Sequence, residues 1–252
     1  MKSVIAHSHQ PIVMWIRHLI NLYRNRSVRA AHDSSISILD NNSIEEFKSG
    51  ANNTFLISFP RTGSHWLRMI MELYFGRPSL VRVFYYPERR DYLTLHTHDL
   101  ELDVVWTHVI YLYREPVSTI YSQLQYHKEN IDDRERIAYW SDLYGRHLDK
   151  WLHQETFTKK KTVVRYERLK DDLTGEFAKI CAHFGEPLDV ARLQAAAAQV
   201  TKERVKQKTP HDPQVITLNR SYEEERRRFR VEYGDFVWQV LLDGREHLRE
   251  DF

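Results

Sequence analysis

A single cysteine, Cys181, leaves no internal disulfide to be made, so packing alone must hold the core. It lies among Phe177, Ile180 and Phe184 at helical spacing, which predicts a buried core thiol. Charge of one sign is missing as well. The chain has 37 Lys and Arg against 35 Asp and Glu, a net +2, and that balance supplies no bulk field calling for nucleic acid. No long hydrophobic run occurs. The best candidate, Ile12 to Ile20, is far shorter than the roughly 20 apolar residues of a bilayer span, and Arg17 interrupts it. It also lacks a small-residue cleavage site, which argues against a signal peptide. Ile12, Trp15, Ile16, Leu19 and Tyr23 share one helical face, so an amphipathic helix docked on the domain is expected. The chain is expected to be cytoplasmic, with no integral membrane segment and no internal repeat.

The 252 residues suffice for one sizeable α/β domain with a short extension. Ser, Asn and Asp crowd residues 25–53, which reads as a linker, so residues 1–53 form an N-terminal extension and 54–252 the main domain. From Thr54 onward short apolar runs alternate with helical patterns. Strands are expected at 54–59, 92–96, 104–113 and 162–166. Helices follow on the stripes Trp66, Ile70, Leu73, Tyr74 and Val117, Ile120, Tyr121, Leu124, the latter opened by Pro116. Two more carry Trp140, Leu143, Tyr144, Leu148, Trp151 and then Phe177, Ile180, Cys181, Phe184, the second stopped by Gly185. Ser221 with Glu224 forms a capping box for a long helix to about Leu242. This alternation implies an α/β fold with a parallel sheet flanked by helices on both faces.

The most informative stretch runs from Thr54 to Arg68: a buried strand, a tight turn holding Gly63, and the first turn of a helix. Such a turn aims backbone N–H groups and the positive end of the helix dipole at one spot. Arg61 adds a fixed cation, and Thr62 and Ser64 add hydroxyl donors. A phosphate-like anion is the expected ligand. The Walker pattern is absent, because no Lys follows the glycine. That disfavours a metal-dependent triphosphate enzyme. A second anchor stands beyond the strand ending at Tyr113. There Arg114, with Ser122 two helical turns later, can clamp another phosphate at the carboxyl end of the sheet.

Three elements together resemble the sulfotransferases that use 3′-phosphoadenosine-5′-phosphosulfate (PAPS). Pro60-Arg61-Thr62-Gly63-Ser64-His65-Trp66 is similar to their phosphosulfate loop, Arg114 and Ser122 to their 3′-phosphate element, and Tyr166-Glu167-Arg168-Leu169 to a later conserved element. The likeness runs from about Thr54 to Gly185 and implies a P-loop NTPase-like sulfotransferase fold, with PAPS as co-substrate, PAP (adenosine 3′,5′-bisphosphate) as product and no metal. It implies that Arg61, Thr62, Gly63, Ser64 and His65 hold the phosphosulfate and that Trp66 lies along the adenine. Arg114 and Ser122 would take the 3′-phosphate, with Tyr166 at the adenine edge. Thr201 is a further candidate near the nucleotide, and Arg220, roughly where the family's missing C-terminal Arg-Lys-Gly loop should be, is expected to reach the 3′-phosphate. Arg61 replaces the family's usual Lys, so it would act by charge stabilisation rather than proton donation. Glu223 to Arg230 reads as a solvated helix face.

An alcohol acceptor needs a base. Leu93-Thr94-Leu95-His96-Thr97-His98-Asp99 resembles the family's Lys-Thr-His segment, which puts His98 on the base and leaves His96, on the same side of an extended chain, in reserve. Asp99 is expected to orient the imidazole. A metal at His96 and His98 lacks a third ligand at diagnostic spacing. Loops 77–92 and 125–140, with Tyr85, Tyr86, Arg89, Arg90, Tyr126 and His127, would build a pocket for a small-molecule or carbohydrate acceptor. Rival readings are an ATP-dependent kinase and a nucleotide-binding protein without turnover. The acceptor and the oligomeric state are not legible.

Overall fold

A computed structural model of the chain describes residues 35–37, 40–156, 158–210, 212 and 220–252. The expected amphipathic helix over 12–23 lies outside them. Within the stretch read as linker, two elements form: β1 (Ile36–Ser37) and α1 (Asn41–Ser49). Asp40 caps α1 by accepting from the N–H groups of Asn42 and Ser43, and Phe47 is buried in the core. The polar composition that suggested a linker is thus the cap and outer face of a helix with one apolar anchor.

The first central strand is β2 (Thr54–Ser58), buried along its whole length as the interior strand of a parallel sheet must be. Then follow α2 (Ser64–Phe75), β3 (Ser79–Leu80), β4 (Arg82–Val83), β5 (Thr94–Thr97) and β6 (His108–Tyr113). The next helices are α3 (Pro116–His127) and α4 (Arg134–Leu148), which runs on into a π-helical turn at Asp149–His153. After β7 (Lys160–Arg165) come α5 (Tyr166–Asp171), α6 (Leu173–Phe184), α7 (Val190–Gln199) and α8 (Lys202–Lys208). The chain closes with α9 (Arg220–Leu242) and a 3₁₀ segment, Glu246–Asp251. Strand β6 begins later than its apolar run, because 104–107 serve as a connection, and β7 ends at Arg165 so that Tyr166 opens a helix. Ser221 falls inside the first turn of α9 rather than before it.

The sheet order is β3-β5-β2-β6-β7, all parallel, with β1 and β4 paired antiparallel in a separate ribbon. Alternation along β2 divides two cores. Phe55 and Ile57 face Tyr111, Tyr121, Tyr144 and Val237, whereas Leu56 faces Ile70, Phe177 and Cys181. Cys181 is fully buried, as expected. The chain leaves β2 first toward β3 and β5, then crosses to β6 and β7 on the other side. That reversal at the carboxyl end of β2 is where open α/β sheets bind ligands.

Candidate active site

The turn between β2 and α2 is shaped for close approach. Arg61 and Gly63 both lie in the left-handed region, at φ 70° and 95°. A Cβ on Gly63 would fall 2.5 Å from Cε2 of Tyr166, so only glycine fits beneath that ring. Gly63 occupies the cap position without a side-chain bond, and Leu67 N–H, donating to Gly63 O at 3.2 Å, makes the first turn of the helix. The N–H groups ahead of Leu67 therefore have no intrahelical acceptor, and they meet the dipole's positive end. Thr62 is fully buried and donates its hydroxyl to Phe59 O at 2.8 Å. It shapes the turn rather than offering that hydroxyl to a ligand.

The second anchor is tied directly to the first. Arg61 Nε donates to Ser122 Oγ at 3.2 Å, and Arg114 Nη1 donates to the carbonyl of Arg61 at 3.1 Å. The Arg114 guanidinium lies over the Tyr166 ring at 4.7 Å, and Trp66 meets that ring edge-on at 6.0 Å. Tyr144 fixes the Arg114 backbone by accepting from its N–H at 3.0 Å and donating to its carbonyl at 2.6 Å. Arg114 Nε is buried without a hydrogen-bond partner, 4.0 Å from a Glu167 oxygen. Such an orphaned donor is what an added phosphate oxygen would satisfy.

His98 stands beside the same strand end. The register pairs Ile57 with Thr97, which sets His98 opposite Ser58, and His98 Nδ1 donates to the Ser58 carbonyl at 2.8 Å. Because a carbonyl only accepts, that bond fixes the neutral ring with its lone pair on Nε2. Burial lowers the His98 pKa to about 4. His96 Nε2 meets Ser58 Oγ at 3.0 Å, its ring 4.7 Å from that of His98, and burial holds it well below the usual histidine range. Asp99 does not orient the imidazole. Its carboxylate accepts from Lys150 Nζ at 2.8 Å, Trp151 Nε1 at 2.9 Å and the Val104 N–H at 2.9 Å. With φ 44°, Asp99 turns its side chain into this buried nest and leaves the Ser58 carbonyl as the orienting group.

On the outer side, Arg82 Nη1 reaches His65 Nε2 at 2.9 Å and Asp212 Oδ2 at 2.7 Å. Burial, then the charge of Arg82, keeps His65 neutral. Nothing in the sequence patterns flagged the support for Arg82. Glu72, fully buried, accepts from the N–H groups of Ser79, Phe84 and Tyr85, and Arg68 donates to the Arg82 carbonyl at 2.6 Å. Both lie on α2, so the helix that follows the Gly63 turn also holds the 79–85 segment. An acid and an arginine four residues apart inside an apolar helix were the available signal.

The sulfotransferase domain model matches residues 87–242, more than half of the chain. The chain belongs to the sulfotransferase domain family. Membership confirms the sulfotransferase enzyme class expected from the motifs. The match begins after the 60–66 loop, so the case for that loop rests on its geometry. No curated protein matches in sequence. Among solved structures, mouse sulfotransferase SULT7A1 complexed with PAP is similar at 16% identity and TM-score 0.52, covering 82% of this chain and 90% of that one. Retinol dehydratase in a complex with retinol and PAP is similar at 13% identity and TM-score 0.51, covering 81% and 86%. At such identities these likenesses show the fold: the expected P-loop-like sheet with helices on both faces.

Other expectations for this sulfotransferase domain fare differently. Arg220 opens α9, but its side chain lies outside the described residues. Thr201 caps α8 by accepting from the Arg204 N–H at 3.2 Å, which explains it without a nucleotide. Arg89 pairs with Asp91 and Arg90 with the Pro87 carbonyl, so both close their own exposed loop. Tyr126 keeps a place at the site, its ring 4.9 Å from the Arg61 guanidinium. The α9 face is solvated as expected at Glu223, Glu224, Arg227 and Arg228, but Phe229 is buried and Arg230, itself exposed, reaches Glu115 and Ser118. Among the described residues no His, Cys, Asp and Glu group is arranged to hold a metal, and no helix is long and apolar enough to cross a membrane.

Proposed function

We propose that the protein transfers the sulfuryl group of PAPS to a hydroxyl, or an amine, of a small-molecule or carbohydrate acceptor and releases PAP. One observation carries this reading: the helix N-terminus at Gly63 and the Arg114–Ser122 pair are joined through Arg61 at a single strand end. Two anion sites so placed suit a nucleotide bearing both a 5′- and a 3′-phosphate, which ATP lacks. The cytoplasmic location and the absence of a nucleic-acid partner belong to this proposal and rest on composition.

In this scheme the N–H groups at the start of α2, with Gly63, Ser64 and His65, hold the phosphosulfate, and Arg61 stabilises the charge that builds on the departing phosphate oxygen. Arginine stays protonated even where burial lowers its pKa, as it does here, so Arg61 donates no proton. Arg114 and Ser122 take the 3′-phosphate, while Trp66 and Tyr166 flank the adenine. His98 Nε2 takes the acceptor proton as the acceptor oxygen bonds to sulfur and the sulfur–oxygen bond to PAP breaks. His96 is the reserve base.

Calorimetric titration of PAP, 5′-AMP, ADP and ATP into wild type and Arg114→Ala tests the reading. PAP should bind best, and the mutant should lose about 1.5–3 kcal/mol, the worth of a charged hydrogen bond, for PAP alone. Equal or tighter ATP binding would point to a kinase. Tight PAP binding with no sulfation of any acceptor by the wild type would leave a binding protein, whereas full sulfation in both His98→Ala and His96→Ala would remove only the assignment of the base.

A further inference from the structure

The corner that follows the proposed base is gripped from one helix face. His147, Lys150 and Trp151, spaced i, i+3 and i+4 across the junction of α4 with its π turn, are all buried. His147 Nε2 donates to the backbone carbonyl of His98 at 2.9 Å. Lys150 and Trp151 both donate to Asp99, and Lys150 also donates to the Val104 carbonyl at 2.8 Å. The direction of each bond is determined. The His98 carbonyl can only accept, so His147 carries its proton on Nε2, and its Nδ1 accepts from the Tyr111 hydroxyl at 2.9 Å. Tyr111 is fully buried with its pKa raised well above the ordinary value, so the hydroxyl keeps its proton. Burial lowers the His147 pKa to about 3, which keeps that ring neutral.

We propose that His147, Lys150 and Trp151 act as a positioning clamp that sets the aim of the His98 imidazole, with His147 as the member coupled to it most directly. The proposal rests on His98 being the base. His98 is held at two points, its ring by the Ser58 carbonyl and its backbone by His147. Residues 94–97 are fixed by the sheet, but Asp99 leaves it in the left-handed region. Without the clamp the backbone at 98–99 can rotate, and the Nδ1–H bond to Ser58 that keeps the lone pair on Nε2 is lost. π-Helical turns are rare and concentrate at functional sites, and this one carries two of the three clamp residues.

The test is nitrogen NMR on the full chain labelled at histidine, with the His98 signals assigned by their loss in His98→Gln. In wild type, Nδ1 should appear protonated and Nε2 unprotonated. His147→Leu should move both signals to tautomer-averaged positions, and His147→Gln, whose carboxamide can still donate to the carbonyl, should restore them. PAP affinity should stay within about two-fold in each variant, because His147 meets the ring of Phe59, ahead of the 60–66 loop, only edge-on at 5.5 Å, a packing contact that leucine or glutamine keeps. His147→Phe, a ring of similar size with no N–H to donate to the His98 carbonyl, is the second variant should His147→Leu fail to fold. Unchanged His98 signals in the folded variants would overturn the clamp, as would a parallel loss of PAP binding of about ten-fold or more, which marks general loosening. The base reading is judged separately. Full turnover in His98→Ala removes it, whereas the NMR result still decides whether His147 positions residue 98.

Discussion

At the scale of single residues, position decides what a side chain can contribute. Gly63 is required twice, by its φ of 95° and by the Tyr166 ring above it. Gly63→Ala is expected to cost about 1–3 kcal/mol in strain and to weaken PAP binding sharply. Urea unfolding and calorimetry check this, and an alanine variant of wild-type affinity would refute the close approach. His98 offers a second case. Burial lowers its pKa to about 4, so the proposed base stays neutral well below pH 6.5. The kcat/KM profile, which reports the free enzyme, should be nearly flat from pH 7 to 5.5, where an ordinary histidine would lose about ten-fold. A loss of that size would mean that another group carries the limb. His98 was legible as a candidate from its segment, but its orienting partner was not, since Ser58 acts through a backbone carbonyl.

Elements matter here mainly as holders of loops. Helix α2 presents its N-terminus to the proposed phosphosulfate site while Glu72 and Arg68, on its inner face, secure the 79–85 segment and with it Arg82. Burial raises the Glu72 pKa, against which three N–H donors and Arg68 work. Glu72→Gln replaces one acceptor oxygen with a donor facing these N–H groups. It should cost about 1–3 kcal/mol, the penalty of a buried unsatisfied group. Hydrogen exchange should show faster opening of 79–85 in that variant, and unchanged protection there would dismiss the role. Helix periodicity located α2, α3, α4 and α6 correctly because their buried stripes are long. It could not find β3, β4 or β1, since two residues carry no period.

For the whole molecule, the buried histidines set a pH window. Burial lowers the pKa of His65, His96, His98, His147 and His183, the last to about 4. The unfolded chain, with ordinary values near 6.5, takes up protons that the folded chain refuses. Their contribution is therefore complete above about pH 6.5 and is lost progressively as pH falls toward 4, by up to about 1.4 kcal/mol per pH unit for each such group. Urea midpoints should drop steeply between pH 6.5 and 4.5, and less steeply in His183→Gln. A flat midpoint across that interval would contradict the burial of these rings as neutral groups.

The alternation of strands and helices, the buried thiol, the glycine turn and the order of the three motifs all follow from the chain read residue by residue. Each is a local property, set by side-chain period, backbone freedom or the chemistry of adjacent residues. Tertiary structure alone decided that Arg61 meets Ser122, that Tyr166 closes over Gly63, and that Asp99 serves Lys150 and Trp151 rather than the His98 ring. It also turned part of the polar stretch before Thr54 into a packed helix and gave His147 its grip on His98. These pairings join residues far apart in the chain through sheet register and helix docking, and no local period encodes which partners those bring together.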